Sequence, residues 1–155
     1  MTSPFDFSAG AVLTAAQLNA IGDAADTAWT PSWNNFAKGS GGTNTGYYMR
    51  VNDLIVARFT QTLGTSPTIG SVSLVLPVTA HFTTYQPCGQ IWMGQSGGSI
   101  YNGQAVLTAA GTCTFYGAYV FGTAAVTINQ GVTASTPFSW GSNDYLTGQI
   151  VYRAA

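Results

Sequence analysis

The chain has 155 residues and a net charge of −1, from four Lys or Arg and five Asp or Glu. An ordinary domain is about 25% charged, whereas this one is 6%. The acids are Asp6, Asp23, Asp26, Asp53 and Asp144, the bases are Lys38, Arg50, Arg58 and Arg153, and His81 is the single histidine. Four scattered bases cannot form the stripe that neutralises phosphates, which excludes nucleic-acid binding.

At this length one domain with a short appendage is expected, with a core large enough to need no metal or disulfide staple. With 46% hydrophobic residues the composition argues against disorder. No apolar run approaches the roughly 18 residues of a membrane span, so no membrane insertion is expected. A basic segment followed by an apolar one, as in a secretory signal, is not visible. Near-neutral surfaces of this kind tend to self-associate.

The pattern divides the chain into an N-terminal arm and helix, residues 1–29, and a β region, residues 30–155. The first part carries −3 and the second +2. Phe5 and Phe7 give the arm an apolar tip. Thr14 and Gln17 form a capping box, with Leu13 and Leu18 at the staple positions beside it. A helix is predicted to about Asp26, with Leu18, Ile21, Ala25 and Ala28 as a narrow apolar seam. Gly22 weakens it, and Asp23 and Asp26 oppose the helix dipole. About twelve residues of such helix are not stable alone, so the seam must dock on its own domain or on other copies.

Beyond Trp29 the apolar period becomes two. Tyr47 to Val51 and Leu54 to Leu63 flank Asn52-Asp53, a two-residue hairpin turn. Ser71 to Leu76 places Val72, Leu74 and Leu76 on one face and ends at Pro77. Strands are then predicted at Gln86–Gly94, Gly98–Thr108, Thr112–Phe121, Ala125–Asn129, Pro137–Trp140 and Leu146–Arg153. Such a series of short strands indicates a sandwich or barrel. Long connections such as Lys38 to Asn44 favour a jelly roll. The expected fold is all-β, a jelly-roll-like antiparallel β-sandwich with a short N-terminal helical arm.

The candidate chemistry is sparse. A glycosidase pair needs two facing carboxylates. The β region offers only Asp53 and Asp144, each in a turn where Asp commonly serves local hydrogen bonds. His81 falls in a loop with no nucleophile elbow near it. Gly39-Ser40-Gly41-Gly42 lacks the Lys and helix of a phosphate loop. Zinc needs clustered ligands, and the sequence offers none. Cys88 and Cys113 lack ligand spacing and read as two buried thiols, with a single bridge as the alternative. No catalytic residue, cofactor or metal is expected. Exposed aromatics with Asn, Gln and Thr would suit sugar binding, although core packing is the competing use of Trp29, Trp33, Trp92 and Trp140. Strand-like alternation assigns Trp92 and Trp140 to the core and sets Tyr116 and Tyr119 on opposite faces.

Several stretches, taken in order, resemble bacteriophage tail-fibre and minor tail proteins of phages with actinobacterial hosts. They are Ala9-Gly10-Ala11-Val12-Leu13-Thr14-Ala15-Ala16-Gln17-Leu18-Asn19, Trp29-Thr30-Pro31-Ser32-Trp33, and Gly46-Tyr47-Tyr48 leading to Val51-Asn52-Asp53. Leu76-Pro77-Val78, Pro137-Phe138-Ser139-Trp140, Asn143-Asp144 and Tyr152-Arg153-Ala154 complete the set. Asn52 replaces a usual Gly at the hairpin and also tolerates positive φ. The resemblance implies a non-enzymatic homotrimeric β-sandwich knob, assembled in the host cytoplasm onto a virion. It would contact other virion proteins of tail or capsid through its helix, and could also meet a host surface glycan. Phe5, Phe7, Leu13, Leu18, Ile21 and Ala25 are the expected anchoring and oligomer residues. A capsid decoration or head-fibre protein, and a carbohydrate-binding β-sandwich module, are the alternatives.

Overall fold

The computed structural model describes residues 26–82, 84–120 and 128–155, and the anchoring residues Phe5, Phe7, Leu13, Leu18, Ile21 and Ala25 lie outside these. No helix occurs among the described residues. The described residues form ten strands: β1 Thr27–Trp29, β2 Ser32–Ala37, β3 Thr43–Val51, β4 Leu54–Thr62, β5 Thr68–Val75, β6 Gln86–Gly94, β7 Ile100–Ala109, β8 Thr112–Val120, β9 Ile128–Gly131 and β10 Tyr145–Arg153. Every pairing is antiparallel. The order across the sheet is β1-β3-β4-β10-β6-β7-β8-β5-β2, and β9 adds to β8.

This order forces the sheet to curl. Its two end strands, β1 and β2, are consecutive in the chain and separated only by Thr30 and Pro31. Proline fixes φ and lacks an N–H, which suits a point where the chain leaves one ladder for another. Gly46 of β3 lies directly under this corner. A Cβ there would stand 2.8 Å from Trp29 Cε3 and 2.9 Å from Pro31 Cγ. The closeness of β1 therefore requires glycine at that position. Beyond the corner, Asn44 holds β2 to β3: its Nδ2 donates to Pro31 O at 2.6 Å and its Oδ1 accepts from Trp33 Nε1 at 3.0 Å.

The concave side holds the core. Ile55, Ala57 and Phe59 of β4 face Ala105 and Leu107 of β7 and Cys113 and Phe115 of β8, all at most 2% exposed. Phe59 and Phe115 belong to strands four places apart in the sheet, yet their rings lie 5.8 Å apart across the interior. Trp33 bridges both, at 5.5 Å from Phe59 and 5.9 Å from Phe115. Aromatic pairs in this distance range add to the gain from burial.

The Asn52-Asp53 hairpin forms as expected, with Val51 opposite Leu54 and Asn52 at φ 54°. Val72, Leu74 and Leu76 are all buried, as their alternation predicts. Other expectations are corrected. Ala28, assigned to the helical seam, sits in β1 opposite Tyr47. Pro137–Trp140 forms no strand; a turn closed by Thr133 and Thr136 leads into it, and Trp140 Nε1 donates to Thr133 O at 3.0 Å. β2, Ser32–Ala37, is a strand that was not among those expected. The register slips there, since Asn34 pairs with Ser73 but Phe36 with Ile69, and with Asn35 at φ 54° both Trp33 and Phe36 pack on the core. The buried Gln61 of β4 donates from Nε2 to Phe36 O at 2.8 Å, satisfying a carbonyl beside the bulge.

Gly46→Val should drive the Trp29–Pro31 corner off β3 and cost about 1–3 kcal/mol, as overpacking does. Gly111→Ala, where a Cβ meets nothing within 4 Å, should change stability by less than about 0.5 kcal/mol. Urea unfolding of the two variants checks the contrast.

Candidate functional site

The ionisable groups decide whether catalysis has a seat. Asp53 closes the hairpin and meets Arg153 at 3.4 Å. Asp144 is 3% exposed, and both its oxygens accept backbone amides, Ser96 N at 2.7 Å and Gly141 N at 2.5 Å. Leu54 pairs with Arg153 at one end of β10, and Tyr145 stands at the other. The two carboxylates thus sit at opposite ends of a strand, roughly 30 Å apart at about 3.3 Å per residue, and form no glycosidase pair. Lys38 Nζ donates to Gly42 O, Arg50 Nε donates to Asn52 O at 2.7 Å, and Arg58 pairs with Asp26. His81 lies exposed in a loop. Among the described residues no group of three or more His, Cys, Asp or Glu could hold a metal.

Cys88 and Cys113 are free and buried. Contact with the Cys88 thiol and burial push the Cys113 thiol well above its usual range, while the same contact lowers Cys88. Tyr152 is 4% exposed, and its hydroxyl donates to Val78 O at 2.8 Å while accepting from Val78 N at 3.3 Å. Burial is the main cause that raises the phenol above its usual value of 10.0.

The convex face of the sheet is different in character. Strand register aligns its outward residues in rows that cross the strands. One row runs Tyr47, Arg58, Gln149, Gln90, Gln104, Tyr116 along β3-β4-β10-β6-β7-β8. The next runs Thr45, Thr60, Thr147, Trp92, Asn102. Arg58 is the single charged member of either row, and it is neutralised by Asp26 and stacked 5.6 Å over the Tyr47 ring. The remainder is amide, hydroxyl and aromatic.

Two shallow depressions open on these rows. One, of about 180 Å³, lies over β6 and β7, with Gln90, Trp92, Asn102 and Gln104 at its corners and the backbone of Ile91 and Gly103 as its floor. The other, of about 280 Å³, lies over β3, β4 and β10 and includes Thr45, Tyr47, Arg58, Thr60 and Thr147. Trp92 is 40% exposed and belongs to this face, not to the core. Its neighbours Ile91 and Met93 are fully buried, so the alternation that suggests burial of the Trp assigns it outward instead. Trp140 does pack against the core, 5.3 Å from Phe36 and 4.5 Å from Phe138. The β7–β8 register shifts between Tyr116, opposite Gln104, and Tyr119, opposite Asn102.

A third feature lies toward the hairpin end. Met49, Val56 and Val151 are in register on β3, β4 and β10, and Val51 and Leu54 form the adjoining row. Val51, Leu54 and Val151 are 40–47% exposed. This contiguous apolar patch lies beside the point where the chain enters, since Thr27 pairs with Tyr48.

No protein family, characterised protein or solved structure matches the chain.

The raised Tyr152 phenol contributes stability that is complete below about pH 10 and declines above it, because the unfolded chain releases that proton first. Tyr152→Phe should cost about 1 kcal/mol at neutral pH through the lost hydrogen bonds. It should also flatten the decline above pH 10. Urea midpoints measured from pH 7 to 11 test both effects.

Proposed function

We propose that this chain is a non-enzymatic structural protein of a bacteriophage virion, a homotrimeric surface knob of the minor tail or tail-fibre-tip type. The curled sheet is read as a jelly-roll-like sandwich, with Phe59 and Phe115 meeting across its interior. The observation that carries the reading is the apolar patch of Met49, Val51, Leu54, Val56 and Val151 at the pole where the N-terminal arm enters. A contiguous exposed apolar surface rimmed by polar residues is the mark of an interaction site, and here it faces a second copy. The arm anchors the knob to other virion proteins through Leu13, Leu18, Ile21 and Ala25, with Phe5 and Phe7 inserted in a neighbour. The local engagement of the described charged side chains also fits a role in assembly better than one in catalysis. The same features suit a capsid decoration or head-fibre protein that stabilises the phage head.

A second reading, a carbohydrate-binding β domain, is favoured by one specific observation: the rows of amide, hydroxyl and aromatic residues on the convex face, whose one charged member, Arg58, is paired with Asp26. The two readings are compatible, because a knob that projects from a virion can meet host glycans.

Light scattering at micromolar concentration should give about three times the chain mass of 16.1 kDa. Leu54→Asp with Val151→Asp should bring that mass down to a single chain while the circular dichroism of the β domain is retained. Leu18→Asp with Ile21→Asp should abolish incorporation into particles and leave the β domain folded. Normal incorporation of this second variant would sink the anchoring role of the arm.

A further inference from the structure

The depression over β6 and β7 has features that neither packing nor assembly requires. Trp92 and Asn102 are cross-strand partners, and Gln90 and Gln104 are the next pair along the same face. Trp92 as a residue is 40% exposed. Asn102 Oδ1 is shielded from solvent yet has no hydrogen-bond partner among the described residues. A shielded acceptor without a donor is costly and uncommon in native proteins.

We propose that this face binds a neutral, hydroxyl-rich chain, an uncharged oligosaccharide, with one sugar ring seated over β6 and β7. The ring stacks an apolar face on the exposed Trp92. Gln90 and Gln104 offer both donors and acceptors to the remaining hydroxyls. No ionisable side chain lines this depression, which disfavours carboxylated or phosphorylated ligands. Its volume of about 180 Å³ is below the roughly 300 Å³ of pockets that take drug-sized ligands, and it suits a single ring.

The second depression gives the chain its direction. It lies in the same two rows, about three strand spacings away, or roughly 14 Å. Tyr47 is 45% exposed there, and Thr45, Thr60 and Thr147 supply hydroxyls. Gln149 and Thr147 of β10 pair with Gln90 and Trp92 and so bridge the interval. An oligosaccharide therefore crosses the strands from Trp92 toward Tyr47. A peptide would instead add to a sheet edge, and this site is on a face. The proposal rests on the reading of the chain as a surface-projecting, non-catalytic domain, but not on its trimeric state.

The test uses the fluorescently labelled full chain on a printed array of neutral and acidic oligosaccharides, at the concentration used for light scattering. Retention by neutral glycans is expected. Trp92→Ala and Gln104→Ala should each bind about tenfold more weakly, the loss typical of a contact that matters, with unchanged urea midpoints. Both side chains face solvent, and Gln104→Ala keeps the test intact if Trp92→Ala proves unstable. Absence of neutral-glycan retention, retention of acidic glycans alone, or undiminished binding by both variants would overturn the site. A trimer that binds no glycan overturns the site alone. A monomer that binds overturns the trimeric assembly and leaves the site standing.

Discussion

The passage of the chain from β1 to β2 through Pro31 is the constraint on which the rest depends. Six residues, Trp29 to Asn34, leave one end of the sheet and join the other. A flat sheet of nine strands cannot allow that, because its ends would stand roughly 38 Å apart at about 4.8 Å per strand. The sheet must curl until its ends meet. Once it does, the concave side becomes a closed interior, and Trp33, just past the corner, is placed between Phe59 and Phe115. The same step occupies both sheet edges with short strands, which limits the open ladder available for aggregation.

Much of this was legible in the sequence, and the reasons for the remainder are local. The hairpin at Asn52-Asp53 was readable because two turn residues interrupt two alternating runs. β6, from Gln86 to Gly94, and the buried triplet Val72, Leu74 and Leu76 were readable for similar reasons. β2 was not, because the register slip and the positive φ at Asn35 break the period of two. Pro137–Trp140 had the composition of a strand, but its anchoring is made by the Thr133–Thr136 turn, a contact that periodicity does not report. Ala28 continued a helical spacing by coincidence and is held in β1 by pairing with β3.

The candidate site was legible only in its ingredients. Trp92, the glutamines and the threonines were visible as residues suited to a sugar. Their assembly into rows depends on the registers of β10 with β4 and of β6 with β7, which join segments far apart in the chain. β6 and β7 also contain or adjoin bulges, and each bulge shifts which residues stand opposite one another. The composition therefore signalled a neutral face, while its location followed from long-range pairing that no single segment encodes.

The polarity of the strands has a mechanical consequence. β1 runs antiparallel to β3, so Asp26 lies toward the Asn52-Asp53 hairpin, and Ala154 N meets Asp53 O at that same pole. The turn between β6 and β7 occupies the far pole. Antiparallel hydrogen bonds lie perpendicular to the strands. A pull on the arm, directed away from the domain, therefore runs along β1 and shears its three residue pairs with β3 together instead of peeling them one at a time. The wedge of Trp29 and Pro31 over Gly46 sits behind those pairs and blocks the sliding of β1. The strand that closes the fold is thus also the one placed to carry tension.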